Sequence, residues 1–201
     1  MIDLKELEEL DRKRKMLRAI VLKDPRFGFD KGLAYMTKVF ENTVSAQVYG
    51  IRYQNYLIEM LKAKTINQKE NCGDCSLNGY NIEIKASILN DTNRKLNLLQ
   101  LRTYQNVHFY LFLACDSVYN EEYIYILNKD ELLREFKTMN AVQTHGTKDA
   151  NKDNVNVSFS LKLNFSKEND HLKRWNELYR VSNINKVIKK INGDYKGGKE
   201  Q

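Results

Sequence analysis

Only three cysteines and one proline occur in this chain of 201 residues. Three cysteines cannot close a disulfide framework, which argues for a reducing compartment. The lone proline, Pro25, marks one break, between an amino-terminal arm and everything after it. Long apolar runs are also missing. The longest, residues 107–115, contains His108 and falls well short of the ~20 residues that a membrane-spanning helix needs, so no membrane partner is expected. Residues 1–5 show no apolar core of a signal peptide, and the expected location is the bacterial cytoplasm. Internal repeats, a Ser/His/Asp set and a glycine-rich phosphate loop are absent as well.

What is present excludes a disordered chain. Hydrophobic residues reach 42%, and 12 Tyr with 8 Phe are too many to leave in water. Lys and Arg exceed Asp and Glu by 33 to 26, a net charge of +7 that fits a polyanionic partner without demanding one.

The chain reads as helix first and sheet later. Leu4, Leu7, Met16, Leu17 and Ile20 stand among charges at roughly helical spacing. Asp30 follows a Phe27-Gly-Phe29 turn and is placed to cap a helix carrying Leu33, Met36, Val39 and Phe40. A third helix is expected over 44–64. Strands rich in β-branched and aromatic residues are expected over 80–86, 107–114, 123–127 and 155–163. Helices are expected over 96–104, 129–136 and 167–191. The expected fold is therefore α/β, a mixed central sheet flanked by helices. It divides into a helical arm (1–42), a core (43–165) and a carboxy-terminal helical segment (166–201).

One stretch carries chemistry. Asn78-Gly79 between two strand-like runs predicts a type I′ hairpin, since both loop positions need positive φ. Pairing then sets Leu77 opposite Tyr80, Cys75 opposite Ile82 and Asp74 opposite Glu83. Opposed residues lie about 4.5–5.5 Å apart at Cβ, so two carboxylates there repel unless a cation intervenes. Lys85, two residues past Glu83, shares its face, while Ile82 and Ile84 turn to the core. Two acids and a lysine suit a divalent cation with oxygen ligands and a phosphate substrate. The competing reading is an ordinary half-buried strand.

Gly73-Asp74, eight intervening residues and Glu83-Ile-Lys85 resemble the active-site hairpin of the PD-(D/E)xK nuclease superfamily, which includes many type II restriction endonucleases. Gly73 stands where that family has proline. Gly50-Ile-Arg-Tyr-Gln54 is similar to the family's Gly-x-x-x-Glu helix start, with Gln54 in place of the acid. Gln100-Leu-Arg-Thr-Tyr104 resembles the Gln-x-x-x-Tyr element of its exonuclease-like branch. The resemblance covers roughly residues 50–104. It implies a restriction-endonuclease-like core and Mg²⁺-dependent cleavage of double-stranded DNA at a short specific sequence, with Mn²⁺ able to substitute. Asp74, Glu83 and Lys85 would be catalytic, the two acids holding the metal, with Gln54 and Gln100 as supporting residues. A homodimer matching a palindromic site and a companion DNA methyltransferase in the host are further implications. The alternatives are a structure-specific or repair nuclease of the same superfamily and a non-catalytic basic nucleic-acid-binding module.

Other features are weaker. Cys72-x-x-Cys75 lacks the second ligand pair of a zinc site. Arg94, Lys95 and Arg102 follow the hairpin closely and are candidates for phosphate contacts. Residues 139–156 are long for a structureless connection. They concentrate Gln143, His145, Lys148, Asn151, Lys152 and Asn154, side chains able to meet base edges, and are expected to enter a groove and order on binding.

Overall fold

The computed structural model describes residues 3–67, 71–145, 157–166 and 169–193. Three helices come first: α1 (Leu4–Lys23), α2 (Gly32–Thr43) and α3 (Ala46–Leu61). Asp30 does not cap α2. It lies inside a short 3-10 turn (Phe29–Lys31), because Gly28 and Gly32 at positive φ hold that turn apart from the helix.

Six strands form a mixed sheet: β1 (Lys64–Thr65), β2 (Cys75–Leu77), β3 (Tyr80–Leu89), β5 (Phe109–Asp116), β6 (Glu121–Asn128) and β9 (Arg180–Val181), side by side in that order. Only β3 and β5 are parallel. All eight residues of β5 are buried, as expected of a central strand covered on both faces. A second, antiparallel sheet of β4 (Lys95–Leu101), β8 (Val157–Asn164) and β7 (Val142–His145) lies against one face.

Two apolar layers hold the sheet. Ile82, Ile84 and Ile88 of β3 face Met36 and Phe40 of α2 and Leu57 and Leu61 of α3. Val187 and Ile191 of α6 (Ile184–Gly193) join that layer. On the other face Tyr110, Phe112 and Tyr125 meet β4, α4 (Lys129–Thr138) and Trp175 of α5 (Asp170–Leu178). The single helix expected over 167–191 is thus two helices, with β9 between them adding an edge to the central sheet.

The larger departure is at 96–104, where a strand replaces the expected helix. The spacing of Leu96 and Leu98 suits a strand, and that of Leu98 and Leu101 suits a helix. A bulge, with Gln100 at φ 55°, resets the alternation so that all three are buried. Pairing with β8 satisfies the backbone that a helix would have satisfied internally. Residues 139–156 are likewise not wholly a connection, since 142–145 form β7. Among the described residues no helix is long and apolar enough to cross a membrane.

Candidate active site

The hairpin has the register expected of it. Cys75 pairs with Ile82, Ser76 with Asn81 and Leu77 with Tyr80, around Asn78 at φ 52° and Gly79 at φ 86°. The ladder ends at Cys75, so the expected Asp74–Glu83 pair does not form; the Asp74 N–H donates instead to the Ile82 carbonyl at 2.8 Å, one residue out of that register.

Gly73 sets the entry to this arrangement. Its φ is 83°, and a Cβ there would lie 2.7 Å from the Ile82 carbonyl oxygen. A proline, locked near φ −65°, cannot adopt this conformation, so glycine is a requirement of the backbone at this position.

Asp74 then turns its carboxylate onto β3. Its Oδ2 accepts from the Ile84 N–H at 2.7 Å, which fixes the side chain against the strand. Lys85 Nζ lies 2.5 Å from Glu83 Oε1, and the Glu83 side chain is only 10% exposed. Burial first, and then the charge of Glu83, push the Asp74 carboxyl up to about 6, against the pull of the Ile84 N–H and Lys85. One lysine therefore serves two close, largely buried acids. The thiol of Cys75, pushed up to about 12 by burial and by both acids, stays protonated and inert.

Around this trio the face of β3 is polar. Asn81 donates through Nδ2 to the Asn106 carbonyl at 2.8 Å, and its N–H donates to His108 Nδ1 at 3.0 Å. The Asn106 N–H donates to the Asn71 carbonyl at 3.0 Å. The loop between β4 and β5 is thus fastened to the open end of the hairpin. Burial, and then Lys129, lower the His108 imidazole, so it accepts this bond in its neutral form near pH 7. Tyr110 pairs with Glu83 across the parallel β3–β5 ladder. Sequence reasoning missed Asn81, His108 and Tyr110 as neighbours of the site. The first shares the period-2 face of Glu83, a signal that could have found it, whereas the other two depend on the β3–β5 register.

The remaining candidates are not brought together with the trio. Gln54 is half-buried on α3, which packs on the Ile82/Ile84 face of β3, opposite Glu83 and Lys85. Gln100 is exposed on a strand, so the Gln-x-x-x-Tyr spacing does not place it and Tyr104 on one helix face. Arg94 is committed elsewhere. Its Nη2 lies 2.6 Å from Asp116 Oδ2, and its guanidinium stacks over Tyr119. Asp116, though buried, is held below the usual carboxylate range by that arginine and by the N–H groups of Tyr119 and Val118.

Arg94 and Lys95 sit at the far end of β3 from Glu83, whereas Arg102 directly follows the strand that runs back, β4. The Asn97 N–H meets Ser87 Oγ at 3.3 Å, so each further residue of β4 moves toward Glu83. Gln143 is exposed on β7, the edge strand of the second sheet. His145 is the last residue of β7. Lys148, Asn151, Lys152 and Asn154 lie outside the described residues.

Among the described residues no group of three or more His, Cys, Asp and Glu is arranged to hold a metal ion. Two carboxylates are nonetheless a sufficient protein share for Mg²⁺, which keeps several waters and takes its remaining ligands from substrate phosphates. Asp74 and Glu83 fit that description, because their mutual repulsion is what a hard cation between them would relieve. No protein-family model and no curated protein matches the chain.

Proposed function

We propose that the protein is a Mg²⁺-dependent endonuclease that hydrolyses phosphodiester bonds of double-stranded DNA, of the PD-(D/E)xK type and resembling a type II restriction enzyme. The observation that carries this reading is the Asp74–Glu83–Lys85 trio: two close acids and one lysine on the polar face of a strand whose other face is core. Asp74 and Glu83 would hold the cation, which polarises the scissile phosphate and makes a bound water acidic. Lys85 supplies the positive charge that counters the oxygens of the phosphoryl group as the nucleophile adds. Its pairing with Glu83 aims it at that position. Arg102, at the same end of the sheet, steers the backbone, and β7 with the residues after it offers side chains to base edges.

The experiment is digestion of a plasmid of known sequence with Mg²⁺, followed by mapping of the ends. Ends clustered at one short sequence, bearing 5′-phosphate and 3′-hydroxyl, support the reading. Scattered ends at branched or damaged DNA would make it a structure-specific nuclease. Asp74→Asn and Lys85→Ala should each lower the cleavage rate by at least about 10²-fold while circular dichroism and duplex binding stay as in the parent. Near-normal cleavage by either variant at saturating Mg²⁺ sinks the assignment.

A further inference from the structure

Helix α1 is about 30 Å long at 1.5 Å per residue, and little of it is used by the chain that carries it. Val21 is its only buried residue. Its carboxy-terminal end is fastened by the Arg52 guanidinium, which donates to the Val21 carbonyl at 2.8 Å. Leu7, Leu10, Arg14, Leu17 and Val21 follow one another at 3-4-3-4 spacing, the seam of a paired helix. The body covers Val21 and half-covers Leu17, but Leu7 and Leu10 continue the same seam 47% and 55% exposed.

Charge along α1 is divided rather than alternating. Residues 4–11 carry Glu6, Glu8, Glu9 and Asp11 against Lys5 alone, and residues 12–23 carry Arg12, Lys13, Arg14, Lys15, Arg18 and Lys23. Intrahelical ion pairs use Glu9 with Arg12 and Lys13, and Asp11 with Lys15. Among the described residues Glu6, Arg14 and Arg18 have no such pair. The two arginines line a cleft of about 560 Å³ between α1 and the corner joining α2 to α3. Glu41 is its one acid, with Asn42, Thr43, Val44 and Ser45 completing the wall.

We infer that this cleft receives the acidic, leucine-bearing first half of α1 from a second copy of the chain, the two helices running antiparallel about a two-fold axis near Arg12. That register sets Leu7 level with Leu17 of the second copy, Leu10 level with its Arg14 and Glu6 level with its Arg18. Each acidic half then lies on a basic half, and the symmetry makes the contact twice. A parallel pair would oppose like charges along its whole length. The inference stands on the helix and the cleft and does not depend on the nuclease reading.

Sedimentation equilibrium at tens of micromolar protein, without DNA or metal, tests it. The parent should be dimeric. Leu7→Ser with Leu10→Ser, both exposed and so harmless to the fold, should weaken the dimer by about tenfold or more. Arg14→Glu with Arg18→Glu should do the same, and so should Arg18→Glu alone or Glu6→Lys alone. The chain carrying both Glu6→Lys and Arg18→Glu, which the register sets level, should dimerise again. A monomeric parent overturns the inference, and a dimer indifferent to the leucine changes places the interface elsewhere and overturns it too. A monomer whose duplex binding falls with Arg14→Glu and Arg18→Glu would make the cleft a seat for DNA instead.

Discussion

Two acidic centres in this protein are built in opposite ways. Glu135 of α4 is 1% exposed and fully served: Arg174, the indole N–H of Trp175 at 2.9 Å and the Tyr179 hydroxyl at 2.7 Å all donate to it. Asp74 and Glu83 share one lysine and one backbone N–H between two carboxylates. A fully satisfied buried charge organises a core, here the aromatic cluster of Phe112, Tyr125, Trp175 and Tyr179. Close acids left short of positive charge cost the fold something and are a mark of a functional site.

The contrast is tested most strongly by removing each acid in turn. Glu135→Ala strands an indole N–H, a tyrosine hydroxyl and a guanidinium in the core, and should cost about 3 kcal/mol of unfolding free energy in urea. Asp74→Asn keeps the shape, loses one side of a repulsion, and should leave stability within about 1 kcal/mol of the parent or raise it. Equal losses in the two variants would show that the hairpin acids are structural, like Glu135.

A smaller effect follows from acidity. The Asp74 carboxyl titrates near 6 in the fold, against an ordinary value of 3.8. Between those values the folded chain binds more protons than the unfolded one, so this group's contribution to stability falls as pH rises. The penalty is complete above about 6 and absent below about 4. Asp74→Asn should therefore gain on the parent as pH goes from 4 to 7, by on the order of 1–2 kcal/mol. Mg²⁺ competes with that proton, so it should raise the parent's melting temperature more at pH 7.5 than at pH 5, and not at all in Asp74→Asn. A Mg²⁺ response indifferent to pH or to the substitution would take the cation away from this hairpin.

Legibility in the sequence tracks how local each cause is. The hairpin register was readable because Asn78-Gly79 dictates it within a few residues, and the polar and apolar faces of β3 follow from period two. Helix α1 was readable for the same reason. The strand at Leu96, Leu98 and Leu101 was not, because the Leu96–Leu98 spacing suits a strand and the Leu98–Leu101 spacing a helix, and only pairing with β8, some sixty residues away, decides between them. The Gln100 element fell with that helix. Arg94 misled because its partner Asp116 is close only through the β3–β5 register, in which Leu89 pairs with Asp116. The Glu135 cluster left no signal, being assembled from α4, α5 and the residue that follows α5.

The finest distinction is between the two ends of β4. Lys95 pairs with Asn164 beside Arg94, at the end remote from Glu83, while Arg102 leads into the loop tied to Asn71 and Asn81. If DNA lies across the hairpin, only Arg102 is near a backbone phosphate. The logarithm of duplex affinity against the logarithm of salt should then lose about one unit of slope in Arg102→Ala and none in Lys95→Ala. Arg94→Ala serves as the control on the comparison. It should leave the slope alone and instead destabilise the fold by about 2 kcal/mol, because the side chain of Asp116 is fully buried and keeps its charge. A slope change at Lys95 with none at Arg102 would put the duplex at the opposite end of the sheet, away from Asp74 and Glu83, and the nuclease reading would lose its substrate.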